Sequence, residues 1–129
     1  MEITIGSKQE MTKQVSAEMT AEHFGSGDLP VLATPMMITW FEQCSAECLK
    51  KFLDDGLTSV GIYLETEHIS ATPVGATVSV KAELTAVDNK IITFCATAYD
   101  DAGEIGHCIH KRAIVAAEHF LEKTYAKIR

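Results

Sequence analysis

One stretch, TPMMITWFEQCSAECLKKFLDDG at residues 34–56, carries the period of a helix, and most of the chain beyond it carries the period of a strand. Thr34 is a good N-cap and Pro35 suits the first helical position. Lys50 and Lys51 complement the C-terminal dipole, and Gly56 can end the segment. These signals predict a helix over about residues 35–54, roughly 30 Å long at 1.5 Å per residue. At 100° per residue, Met37, Ile38, Phe41, Cys44, Ser45, Cys48, Leu49, Phe52 and Leu53 share an arc of about 180°, with Thr39, Gln43, Glu47 and Lys50 opposite. So wide an apolar stripe needs a cover.

The cover is predicted to be a sheet. Residues 76–87 alternate cleanly: Val78, Val80, Ala82, Leu84 and Ala86 against Thr77, Ser79, Lys81, Glu83 and Thr85. Residues 58–70, 90–100 and 104–117 read as further strands, and 7–16 as a weaker first one. Asp88-Asn89 and Asp101-Ala102-Gly103 are turns short enough to make their strands antiparallel neighbours. Residues 20–33, with Gly25, Gly27 and Pro30, read as a short helix or a lid-like loop. The expected class is α+β, one long helix on one face of a meander, as a single domain over residues 1–129.

Bulk properties narrow the functions. A net charge of −7, from 18 acids against 11 Lys and Arg, lacks the basic stripe of a nucleic-acid binder. No apolar run approaches the roughly 18–20 residues that cross a bilayer. MEITIGSKQE has neither the basic nor the apolar part of a signal peptide, so a cytoplasmic protein is expected. Cys44, Cys48, Cys95 and Cys108 lack CxxC spacing and are expected to be buried and reduced. His107 and His110 fall on opposite faces of their strand, which argues against a metal site.

Three residues sit where their chemistry is out of place. Counting back by twos from His68 gives Thr66, Leu64, Ile62 and Val60, so the imidazole shares the apolar face of its strand. Glu42 lies at roughly 80° on the helix, inside the apolar arc. Such groups need partners, and a carboxylate and an imidazole facing each other between helix and sheet can supply them. Otherwise Glu42 is a boundary residue turned to water and His68 a structural core histidine. Thr34 either caps the helix or joins them. The first turn, Pro35-Met36-Met37-Ile38, contains no acid, which leaves its amides for an incoming carbonyl or anion. A hydroxyl, a carboxylate and an imidazole beside such amides suit acyl transfer or hydrolysis. Trp40 and Met36 fall off the main arc and are expected at a subunit interface or a substrate channel. Arg112 is either a surface ion-pair partner or part of the site.

Together, ATPMMITWFE (33–42), VGIYLETEHISATPVGATVSVKAEL (60–84) and GEIGHCIHKRAIV (103–115) resemble the hotdog-fold acyl-CoA thioesterases grouped with fluoroacetyl-CoA thioesterase. The resemblance implies a long central helix wrapped by a curved antiparallel sheet, and homodimers with active sites at the subunit boundary. By position it implies Thr34, Glu42 and His68 as the catalytic trio, Gly61 near the thioester carbonyl and Arg112 at the acyl-CoA site. No metal or redox cofactor is implied; CoA enters with the substrate. Where the fluoroacetyl specialist has gating aromatics, this chain has Gly25-Ser26-Gly27-Asp28-Leu29, with Phe24 out of register, so thioester hydrolysis without fluoroacetyl specificity is expected. A non-catalytic acyl-CoA-binding module and an enoyl thioester hydratase or dehydratase on the same fold are the alternatives.

Overall fold

The computed structural model describes residues 2–129. Its elements run β1 (Lys8–Gln14), α1 (Ala21–Phe24), α2 (Thr34–Lys50), β2 (Leu57–His68), β3 (Thr77–Asp88), β4 (Ile91–Asp100), β5 (Gly103–Ala116) and α3 (Ala117–Tyr125). All five strands form one antiparallel sheet in the order β1-β3-β4-β5-β2. The long helix and the curved sheet are those expected, whereas α3 was not foreseen from the sequence.

The strands are not a simple meander. β3, β4 and β5 follow one another through tight turns, at Asn89 in the left-handed region and at Gly103 with φ of 138°. β2 instead lies at the sheet's edge and pairs with β5, from Leu57↔Ala116 to His68↔Gly106. Residues 69–76 therefore cross from one edge to the far half of the sheet, where β3 lies between β1 and β4. Alternation cannot report this crossover, because either neighbour buries the same face.

Helix α2 starts at Thr34 and ends four residues short of the predicted 54. Its last turn tightens: Phe52 and Leu53 amides donate to the carbonyls three residues back, Leu49 and Lys50. The buried side is Met37, Trp40, Phe41, Cys44, Ser45, Cys48 and Leu49. Trp40, expected at an interface or channel, is a core residue with 1% of its surface exposed. Val15 and Leu32 share its cluster, with Met19 and Met36 packed partly buried against it. Residues 15–33 thus cover the flank of the helix that the sheet leaves open, and the apolar arc extends towards Trp40. Of the cysteines, Cys44, Cys48 and Cys108 are buried and Cys95, contrary to expectation, is exposed; all four are free thiols. Burial pushes Cys44 up to about 11 and Cys108 to about 12. No described helix is long and apolar enough to cross a membrane.

Candidate active site

Thr34 is the first residue of α2, and the N-cap position belongs to Ala33, whose φ of −71° and ψ of 137° are extended. That single-residue offset from the expected cap has a chemical consequence. The Thr34 hydroxyl makes no cap, and lies 2.8 Å from Nδ1 of His68. His68 ends β2, held there by pairing with Gly106 of β5. A Cβ on Gly106 would stand 2.6 Å from Met37 Sδ and 2.8 Å from the Glu67 carbonyl, so only glycine lets the start of α2 and the end of β2 come this close. Burial lowers the His68 pKa below the ordinary imidazole value, opposed by the nearby Ser70 backbone. Its Nε2 is buried and has no hydrogen-bond partner among the described residues.

The first-turn amides, expected to be open to a ligand, are already engaged. Met36 and Met37 N–H groups both donate to the Ala33 carbonyl, at 3.0 and 3.1 Å. Neither of these two amides is left free for an oxyanion. The hydroxyl–imidazole pair opens onto a cleft of about 320 Å³ whose walls include Ala21, Ser26, Val31 and Ala71. Two depressions on the outer sheet face, about 380 and 440 Å³, meet at Cys95 and contain neither Thr34 nor His68.

Glu42 does not meet His68 within the chain. It lies eight residues beyond Thr34, about 12 Å along the helix. Gly61, against which its carboxylate rests, lies seven residues from His68 along β2, roughly 23 Å. Within one chain, helix geometry keeps the acid and the imidazole apart. Glu42 belongs to a second cluster. Its Oε2 is 3.8 Å from Arg112 Nη1, and a Cβ on Gly61 would stand 2.5 Å from that oxygen, 3.2 Å from His110 Cε1 and 3.5 Å from Arg112 Nη1. Arg112 is buried. Its Nε donates to Ser59 Oγ at 2.8 Å, and Nη2 to the Ser59 carbonyl at 3.0 Å. Burial lowers its pKa, opposed by the Glu42 charge.

Thr34, His68, Glu42, Gly61 and Arg112 all stand where helix meets sheet, and the structure divides them into two groups. Thr34 and His68 form one; Glu42, Gly61 and Arg112 form the other. His110 belongs to the second group and was considered only as a metal ligand. The signal that could have found it is strand parity, since His110 shares a face with Arg112, two residues on.

Comparison with known proteins gives this division a context. Residues 15–118 match the family model described as fluoroacetyl-CoA-specific thioesterase. A fluoroacetyl-CoA thioesterase of Streptantibioticus cattleyicolor is 35% identical over 99 residues, covering 77% of this chain and 68% of that protein. A crystal structure of the fluoroacetyl-CoA thioesterase FlK superposes with a TM-score of 0.93 at 28% identity, covering 99% of both chains. A point mutant of FlK, solved in complex with fluoroacetate and CoA, gives 0.86 at 28% identity over 91% of this chain and 98% of that one. A hot-dog-like protein from Thermanaerovibrio acidaminovorans, at 20% identity and a TM-score of 0.91 over 98% of this chain and 94% of its own, shares the fold. The chain belongs to the fluoroacetyl-CoA-specific thioesterase family.

Proposed function

We propose that this protein hydrolyses acyl-CoA thioesters to the free acid and CoA, in a homodimer whose two active sites each draw on both subunits. The observation that carries the reading is the Thr34–His68 hydrogen bond, with the imidazole's other nitrogen buried and without a partner among the described residues, and the fitting carboxylate, Glu42 of α2, set instead against Gly61 of β2. One β2 edge has no strand beside it among the described residues. It is twelve residues long, contains no Lys, Arg or Pro, and exposes Ile62 and Tyr63 at 51% and 46%. Such an edge is a template for another strand. The opposite edge, β1, is seven residues long and has Lys8 and Lys13. Two β2 edges paired antiparallel about a two-fold between residues 64 and 65 would set His68 of one copy across from Gly61 of the other. That arrangement unites Thr34 and His68 with the second copy's Glu42, Gly61 and Arg112.

In this site Thr34 Oγ attacks the thioester carbonyl carbon while its proton passes to His68 Nδ1. Glu42 of the other subunit accepts from His68 Nε2 and stabilises the imidazolium. The C–S bond breaks, and the CoA sulfur leaves with the proton from His68. Water then cleaves the Thr34 ester, again delivering its proton through His68. Gly61 lies near the carbonyl and Arg112 near the acyl-CoA, as the resemblance implies. Four free thiols suit a reducing compartment, which supports a cytoplasmic setting for the reaction.

The small cleft walls favour acyl groups without discrimination for fluorine. A panel of acyl-CoA esters, scored by mass for CoA released, is expected to give acetyl and fluoroacetyl rates within about tenfold of each other. Thr34→Ala and Glu42→Gln are each expected to lose at least ~10²-fold in turnover without unfolding. Full activity in folded Thr34→Ala protein would overturn the site, and intact esters throughout the panel would leave only a binding module.

A further inference from the structure

His110 is the least exposed titratable group in the second cluster, at 1%. Its two nitrogens face partners of opposite kind. Nδ1 lies 2.9 Å from the Tyr63 carbonyl, which can only accept, so that nitrogen carries the hydrogen. Nε2 lies 3.1 Å from Arg112 Nη1, which can only donate, so that nitrogen presents its lone pair. The ring is therefore neutral, in one tautomer. Tyr63 stands at the β-bulge where the β2–β5 register shifts after Gly61.

We propose that His110 is a positioning residue for the acyl-CoA site: tied to the bulge through Tyr63, it fixes the third nitrogen of Arg112 and so aims the guanidinium at Gly61 and Glu42. Ser59 holds Nε and Nη2, which leaves Nη1 as the corner that turns towards the carboxylate. Without an acceptor at Nε2, the planar group would still be held along its Nε–Nη2 edge by Ser59. Nη1 would lose its own hydrogen bond and keep only the Glu42 oxygen 3.8 Å away. Protonation of the ring would set N–H against N–H; burial, and next to it the Arg112 charge, hold the pKa down, against the Tyr63 hydrogen bond and Glu42. The inference rests on the placement of Arg112 in the thioesterase site proposed above.

Two substitutions separate its two bonds. His110→Gln keeps an acceptor near Nε2 and loses the donor to Tyr63; His110→Asn keeps that donor and loses the acceptor. With acetyl-CoA as substrate, His110→Asn is expected to raise KM about tenfold, the worth of a hydrogen bond to a charged group, while His110→Gln restores most of the loss. Equal losses in both, or the reverse order, would overturn the proposal. Thr34→Ala in the same assay reports the site itself: if it stays active the thioesterase site is wrong, whereas its inactivity together with equal His110 variants rejects only the role of His110. Should a variant fail to fold, long-range ¹H–¹⁵N spectra of the wild-type protein decide. A neutral His110 ring protonated at Nδ1 at pH 7 supports the proposal, and an Nε2–H ring or an imidazolium overturns it.

Discussion

A threonine that begins a helix ordinarily turns its hydroxyl back on the backbone. Thr34 is freed from that task because Ala33 occupies the cap and Pro35 needs no partner for a missing N–H, so a single-residue shift separates a capping threonine from one whose hydroxyl faces an imidazole. The three strand histidines extend the point to acid–base behaviour. His68 and His110 have pKa values below the ordinary 6.5, chiefly through burial, and His107 has one above it, chiefly through its hydrogen bond to Glu104 and then to Glu67. Below pH 6.5 the unfolded chain takes up protons at positions 68 and 110 that the folded chain refuses, so stability falls with pH down to their folded values and is restored above 6.5. His107 acts oppositely: its contribution is present below 6.5 and fades as pH rises through its raised value. The melting temperature of His107→Gln is therefore expected to fall more steeply than that of wild type between pH 7 and 5.5. A shallower fall would reverse the assignment. Because the base is neutral His68, kcat/KM is expected to fall on the acid side as that ring takes up a proton. Glu42→Gln removes the charge that stabilises the imidazolium and is expected to move this limb to lower pH.

Elements differ in how openly the sequence declares them. The spans of β3 and β4 were legible because they alternate, and the helix because its apolar period is strong. In β2 the bulge after Gly61 breaks the alternation and turns Ile62, expected on the buried face, outward. The exact end of the helix, the crossover at residues 69–76 and the burial of Trp40 were not legible, since each is decided by which distant segment covers a surface. The candidate carboxylate and imidazole were legible as polar groups on apolar faces, and Thr34 as the residue at the helix start; the separation of Glu42 from the other two became visible only with the 1.5 Å rise laid against the strand. Two glycines show the same contrast. At Gly106 an added methyl meets the Glu67 backbone at 2.8 Å, and backbone cannot yield cheaply. At Gly61 it meets first the far end of a flexible glutamate. Gly106→Ala is expected to lose about 1–3 kcal/mol of stability, read by denaturant titration. Gly61→Ala is expected to keep its stability and lose activity, because the displaced atom is the Glu42 carboxylate. An active, equally stable Gly106→Ala protein would show that the helix–strand contact has slack the structure does not display.

For the whole molecule the open β2 edge matters most. Light scattering at micromolar concentration is expected to find dimers, and a clean 14 kDa monomer would remove the basis for a shared site. Genetics offers a sharper expression of the divided cluster. If each site takes His68 from one chain and Glu42 from the other, a His68→Ala chain and a Glu42→Gln chain are each inactive alone for different reasons. Co-expressed, they form mixed dimers in which both lesions fall in one site and the other is wild type throughout. Random assortment makes about half the dimers mixed, each with one good site of two, so about a quarter of wild-type activity is expected to return from two dead alleles. No such complementation can occur between enzymes whose sites lie within one chain, and its absence here would return every catalytic residue to a single subunit.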